Sequence, residues 1–429
     1  MFKTKLGHPR FNKIDESWIL YFITFSVILT PQIKIQGFPY VRLEHLISIT
    51  FLVYVSIKYG LKSYENAFNK RFVAQLSGMV IVIVFSIIVG SIKGIAIVLR
   101  DFFEIYKVIS YLSIYLAIAY ISNKMNKKEK ALRFIVIFLL VSVVIAIQQY
   151  FDLFNLNIKY VPYIAPSQYH NLINNPRYPR SLGITTNPNE YAIFTGIGFL
   201  ISWSLFLKYK EIKQIIFMVL FLIAGLMTLS RSGFVFLILC FITYTLKYVI
   251  DNSLSKGYDR KKIARSILLT LLSITVLGLV IFFALPDDLT WRILVGLNIS
   301  KDNSFQLRLQ NWQEHIEIIK LSPLFGVGPG KSIPFEHHVD NEWIYLVRRY
   351  GILGTVYLLS TFVLPMLRAP KGLYKNIYYS ILIGAAIYMI PAHIFHSFQL
   401  MSLVLIVLAL VPIKQQVTEL DSKDGETHD

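Results

Sequence analysis

Apolar residues run in stretches long enough to cross a bilayer, and short polar clusters divide them along nearly the whole chain. A hydrocarbon core about 30 Å thick takes roughly 20 residues of helix. Runs of that order, some shorter, cover residues 18–31, 43–59, 72–92, 102–121, 131–151, 191–207, 212–229, 234–249, 266–285, 351–367, 377–391 and 395–412. The pattern predicts an all-α polytopic membrane protein of about 12 transmembrane helices in a single domain, residues 1–413. No direct or inverted repeat of the kind many transporters carry recurs along it.

Loop charges orient the spans, because cytoplasmic loops retain Lys and Arg. Lys3, Lys5, Arg10 and Lys13 precede the first run, and only Lys34 and Arg42 follow it. Lys58, Lys62, Lys70 and Arg71 come next, then only Lys93 and Arg100. The alternation continues through Lys124 to Arg133, Lys208 to Lys213, Lys247 to Arg265 and Arg368 to Lys375. Both termini are therefore expected in the cytoplasm. The basic N-terminal segment lacks a small-x-small cleavage site and reads as the flank of a retained first span. Residues 414–429 read as a polar cytoplasmic tail.

Two outward loops, about 152–188 and 286–341, far exceed an ordinary connection of about 4–6 residues, and the second falls between the ninth and tenth runs. Loops of that size on a compact scaffold usually carry function. In the first, Asn187 is placed to cap and Pro188 to start the next helix. In the second, residues 305–321 have helical periodicity and stop before Pro323, which predicts a helix along the outer surface.

Composition narrows the function. The chain is 55% hydrophobic and only 16% charged, against roughly 45–50% and 25% for soluble domains, which excludes a soluble enzyme. A net charge of +18 would suggest a nucleic-acid ligand on a globular surface, but here it lies in short interhelical clusters, so no nucleic acid is expected. The single cysteine, Cys240, excludes an intramolecular disulfide and any Cys-based zinc or iron–sulfur site.

Among candidate chemistry, Gly330-Lys331-Ser332 imitates the end of a phosphate-binding P-loop, but Phe325 stands where its first glycine belongs. Gly326, Gly328 and Gly330 read instead as tight-turn positions. Charges near the membrane are the better lead, since each costs free energy without a partner or water. Arg231 reads either as a snorkelling arginine or as a ligand-binding one. With Arg180 and Arg308 it makes three guanidiniums on the outward side, the group that grips phosphate oxygens bidentately. Arg348 and Arg349 open the tenth run, where one is expected to anchor lipid headgroups. Glu104 and Lys107 are spaced to pair, and His393 and His396 read as interfacial rather than metal-binding. The densest polar cluster runs from Glu336 to Glu342. Asp340 or Asn341 could cap the following helix, but a cap needs one such residue. A carboxylate or imidazole near arginines is also what a general base for a hydroxyl nucleophile requires.

Residues 180–191 (RSLGITTNPNEY), 229–233 (LSRSG), Trp312 with 322–330 (SPLFGVGPG), and 340–354 (DNEWIYLVRRYGILG) stand in the order and spacing of the O-antigen ligase and polymerase superfamily, which the chain resembles over its whole topology. The resemblance implies transfer of glycans from undecaprenyl pyrophosphate on the outer face of the bacterial plasma (inner) membrane, with no cofactor and no metal. It implies that Arg180, Arg231 and Arg308 hold the pyrophosphate. Its partners are then lipid-linked glycans and membrane lipids, together with flippase and chain-length regulator proteins.

Ligases that attach the finished glycan to lipid A core resemble His, then Asn, Ser or Gln, then nine residues, then Gly-x-x-Gly. Asn341, Gly351 and Gly354 keep that spacing, but Asp340 occupies the histidine position and His338 lies two residues early. The departure favours the repeat-unit polymerases of O-antigen, capsule or exopolysaccharide. The expectation is a polymerase with Asp340 as base, assisted by His338, and with Asn341 and Glu342 contacting the acceptor or capping the helix. A ligase is the alternative enzyme, and an exporter of polysaccharide or lipid-linked oligosaccharide the alternative of another class.

Overall fold

The computed structural model describes residues 17–31, 42–60, 67–124, 127–169, 172, 179–255, 264, 268, 303–333 and 339–412. The described residues form helices and turns, with no strand among them. The helices are α1 (Ser17–Leu29), α2 (Leu43–Tyr59), α3 (Lys70–Ile92), α4 (Phe103–Lys124), α5 (Lys128–Phe151) and α6 (Asn157–Ile164). They continue as α7 (Pro188–Tyr209), α8 (Lys213–Met227), α9 (Arg231–Ser255), α10 (Asn303–Leu321), α11 (Glu342–Arg368), α12 (Leu373–Tyr388) and α13 (Phe398–Leu410). Among the described residues, six segments are long and apolar enough to span a membrane: Lys70–Ile92, Leu99–Asn123, Lys128–Phe151, Pro188–Tyr209, Arg231–Asp251 and Glu342–Arg368. Trp18–Leu29, Lys213–Met227 and Phe398–Leu410 are apolar but shorter. The expected ninth span, 266–285, and the loop residues 286–302 lie outside the described residues.

Side-chain caps start several of these helices. Asn69 accepts from the N–H groups of Arg71 and Phe72, Asn187 from Asn189, Asn341 from Ile344 and Ser397 from Leu400. The centre of the bundle is α13, buried at every position from Gln399 to Leu410, as an all-round apolar helix should be. It packs on α4, α1 and α12, while α7 lies between α8 and α9, and α3 packs against both α4 and α11. The predicted surface helix is α10, which lies against α11.

The tenth apolar run begins at residue 351, but α11 starts at Glu342, nine residues earlier, and changes course at Gly351 (φ 66°, ψ −178°). Such a break inside a bilayer is tolerated only where other protein groups take up the freed backbone polar atoms. Residues 323–328 do so. Val327 and Gly328 donate to the carbonyls of Arg348 and Arg349 (both 2.9 Å), and Ile352 and Leu353 donate to those of Pro323 (2.9 Å) and Leu324 (3.1 Å). Glycine is required on both sides of this zipper. A Cβ on Gly326 would stand 2.3 Å from the Arg349 carbonyl oxygen, one on Gly351 2.2 Å from that of Leu324, and one on Gly90 of α3 2.1 Å from that of Val327. Gly326, Gly328 and Gly330 all take positive φ, the tight-turn role read from their spacing.

Candidate active site at one end of the bundle

Hydrogen bonds and ion pairs between helix ends hold several buried charged side chains at one end of the bundle. Arg42, fully buried before α2, donates to the carbonyls of Val27 (3.2 Å) and Thr30 (3.1 Å) at the end of α1 and pairs with Glu44. A cation on the last carbonyls of a helix satisfies acceptors that the helix cannot reach itself. At the same end, Arg349 Nη1 meets Glu104 Oε1 at 2.8 Å, and Lys107 Nζ meets Glu104 Oε2 at 2.9 Å. Lys107 also lies 3.3 Å from Nδ1 of His396, which Tyr345 OH approaches at the same distance. The Arg349 guanidinium stacks 3.8 Å from the Tyr345 ring centre, and Arg348 donates to the Pro329 carbonyl at 2.8 Å. Glu104, Lys107, Glu342, Tyr345, Arg349 and His396, with apolar side chains of α3 and α11, line a cavity of about 50 Å³.

The two arginines therefore do not act as headgroup anchors: Arg348 is 0% and Arg349 1% exposed. Charge paired inside the bundle carries the helix past the limit that hydropathy sets. Glu104 and Lys107 pair as their spacing predicts.

Glu342 is wholly buried, and its carboxylate accepts from three successive backbone N–H groups of the turn before α13: Ile394 (2.5 Å), Phe395 (3.2 Å) and His396 (2.8 Å). Its own N–H donates to the Met389 carbonyl at 2.9 Å. His393 Nε2 lies 2.7 Å from the Val339 carbonyl, so residues 339–342 are fastened to the turn 389–396 along their length. Asn341, not Asp340, caps α11. The Asp340 side chain instead points outward, 47% exposed, with Oδ2 3.0 Å from Nε of Arg308 on α10. His338 lies outside the described residues.

Arg180 reaches the α8–α9 turn, at whose end Arg231 stands. Arg180 Nε donates to the Thr228 carbonyl and its Nη2 to Asn189 Oδ1, both at 2.9 Å, while Ser181 N–H donates to the Met227 carbonyl at 2.9 Å. The loop is held from behind by Gln149, whose Oε1 accepts from Leu182 (2.8 Å) and Gly183 (2.9 Å). Leu229 takes a left-handed conformation (φ 53°), Ser230 Oγ accepts from Gly233 at 3.2 Å, and the exposed Arg231 opens α9. A guanidinium at a helix N-terminus is unfavourable to the dipole but doubles that terminus as an anion site.

The chain is thus an all-helical membrane protein, as far as its described residues go, with a set of buried charged residues at one end of the bundle. Residues 216–359 match the family model described as O-antigen ligase, which supports the O-antigen ligase and polymerase superfamily. That stretch contains Arg231, Arg308 and the whole of 340–354, while Arg180 precedes it. No curated protein matches the chain.

Sequence reasoning passes over Arg348, Arg349 and His396 as site residues. The signal lies in two adjacent arginines followed by an unbroken apolar run: charges at that depth need partners from other helices.

Proposed function

We propose that the protein is a metal-independent glycosyltransferase that polymerises undecaprenyl-pyrophosphate-linked repeat units of an O-antigen, capsule or exopolysaccharide on the outer face of the plasma membrane. The observation that supports this reading is the Arg308–Asp340 contact, a carboxylate and a guanidinium 3.0 Å apart and partly open to solvent, on a chain whose match to the ligase family includes both. In the reaction a sugar hydroxyl of the acceptor gives its proton to the Asp340 carboxylate, with His338 assisting. Its oxygen bonds the anomeric carbon of the donor, and the bond from that carbon to the pyrophosphate oxygen breaks. Undecaprenyl pyrophosphate leaves with the electron pair. Arg180, Arg231 and Arg308 stabilise the charge that grows on it, which is where preorganised cations contribute most. Direct displacement inverts the anomeric centre.

The family description and the spacing from Asn341 to Gly351 and Gly354 favour a second reading, transfer of the finished glycan to lipid A core. Aspartate at the histidine position weighs against it. An exporter is disfavoured by the backbone zipper: a transporter's broken helix turns its free carbonyls toward cargo or ions, whereas here those of Arg348 and Arg349 are taken by 327 and 328.

Purified protein given a synthetic lipid-linked repeat unit, with and without a core acceptor, tests these readings. A ladder of products marks the polymerase, and a single transfer to core marks the ligase. Because Asn341 supplies the cap, Asp340→Asn leaves the start of α11 intact and should reduce transfer by about 10²–10⁴-fold, the usual contribution of a general base. Asp340→His should retain part of the activity, and His338→Ala should lose less. Full activity in Asp340→Asn would end the assignment of the base.

A further inference from the structure

Asp340 and Arg308 stand on different elements and are held very differently. The backbone on either side of Asp340 is fixed, by His393 on the Val339 carbonyl, by the Asn341 cap and by the buried Glu342. Arg308 reaches it from α10 on a long side chain, and both side chains are a third to a half exposed (32% and 47%). An ion pair this open to water contributes little and is readily exchanged. With Nε of Arg308 on Asp340 Oδ2, the Nε edge of the guanidinium is not available to a diphosphate, and the neighbouring cation lowers the basicity of the carboxylate toward a hydroxyl proton.

We infer that the donor's pyrophosphate and the Asp340 carboxylate compete for Arg308, so that arrival of the anion withdraws the guanidinium and releases the carboxylate for the acceptor. The rigid partner is the base and the movable partner the arginine, so the exchange needs only rotation of the Arg308 side chain. Donor loading thus raises the share of Asp340 that is free of the guanidinium. This rests on the proposed role of Arg308 toward pyrophosphate, but it makes a claim about binding that needs no turnover.

The test is a double-mutant cycle on the full-length protein in nanodiscs, titrated calorimetrically with inorganic pyrophosphate at fixed ionic strength and with chelator present. Removal of the competing carboxylate in Asp340→Asn should tighten pyrophosphate binding by about two- to fivefold, the range set by an exposed ion pair. Arg308→Ala should weaken it, and in the Arg308→Ala background Asp340→Asn should change the affinity markedly less. Equal tightening in both backgrounds would be a general charge effect and would overturn the competition, as would no tightening, or no pyrophosphate binding by the wild type. Tightening that depends on Arg308 while Asp340→Asn still makes a full glycan ladder would uphold the competition and remove the base role instead.

Discussion

Arg231 and Arg349 are both arginines near the start of an apolar run, yet one is exposed at the mouth of a helix and the other is sealed against Glu104 and Tyr345. Sequence shows their charge and depth but not that Arg349 pairs with Glu104, which comes from a segment more than two hundred residues away. Local spacing, by contrast, makes the Glu104–Lys107 pair and the Asn187 cap legible from the chain alone. The same limit applies to Glu342, read as an acceptor contact or cap: nothing local announces that its carboxylate receives three N–H groups from 394–396. At this scale Arg231 gives a direct test. Arg231→Lys keeps the charge but loses the planar edge, so transfer should fall by roughly ten- to hundredfold if a charge-assisted contact to pyrophosphate in the transition state is lost. Initial rates on the lipid-linked donor measure this, and normal rates in both Arg231→Lys and Arg231→Ala would return the residue to a snorkelling role.

Helix positions were open to prediction because burial in lipid demands unbroken apolar runs, and each described run coincides with a helix. What hydropathy misses is the element whose polarity is compensated by tertiary contact. The first nine residues of α11 fall outside the apolar run because they hold Glu342, Arg348 and Arg349, and only the cap at Asp340 or Asn341 marks them as helix, while the segment 323–330 looks like loop because it is rich in glycine and proline. In space the two complete each other, and glycine is the condition for their close approach. Gly351→Ala should therefore be among the most damaging small substitutions in the protein. It places a Cβ 2.2 Å from a carbonyl oxygen and adds about 1–3 kcal/mol of backbone strain at φ 66°. Gly94→Ala is the matched control, since φ is also positive (86°) but nothing lies within 4 Å of the added carbon. Thermal unfolding in detergent should place Gly351→Ala well below Gly94→Ala; equal midpoints would mean the zipper contributes nothing to stability.

Across the whole molecule the two ends of the bundle differ in kind. One end holds Arg42, Glu104, Arg180, Arg308, Asp340 and Glu342 in separate hydrogen bonds and ion pairs, with Glu104 and Glu342 lining a common cavity. At the other, Arg133 joins Glu129 and Glu211, Lys213 joins Glu211, and Lys247 joins Asp251 at helix ends and short turns, with Lys375 donating to the Ala369 carbonyl. The described residues of the cationic loops 127–133, 208–213, 247–251 and 368–375 thus lie at the end opposite the site, the end that the rule on Lys and Arg in cytoplasmic loops assigns to the cytoplasm. Glycan carried on undecaprenyl pyrophosphate outside the membrane can meet the site only if its end faces outward. A reporter fused after Lys262 should accordingly behave as cytoplasmic, and one inserted near Asp302, just before α10, as extracytoplasmic. Paired alkaline phosphatase and fluorescent-protein fusions at both positions distinguish the orientations, because the first is active only outside and the second only inside. A cytoplasmic Asp302 would set Arg308 and Asp340 on the face where no such donor waits, and the transfer mechanism, including the competition for Arg308, would fail with it.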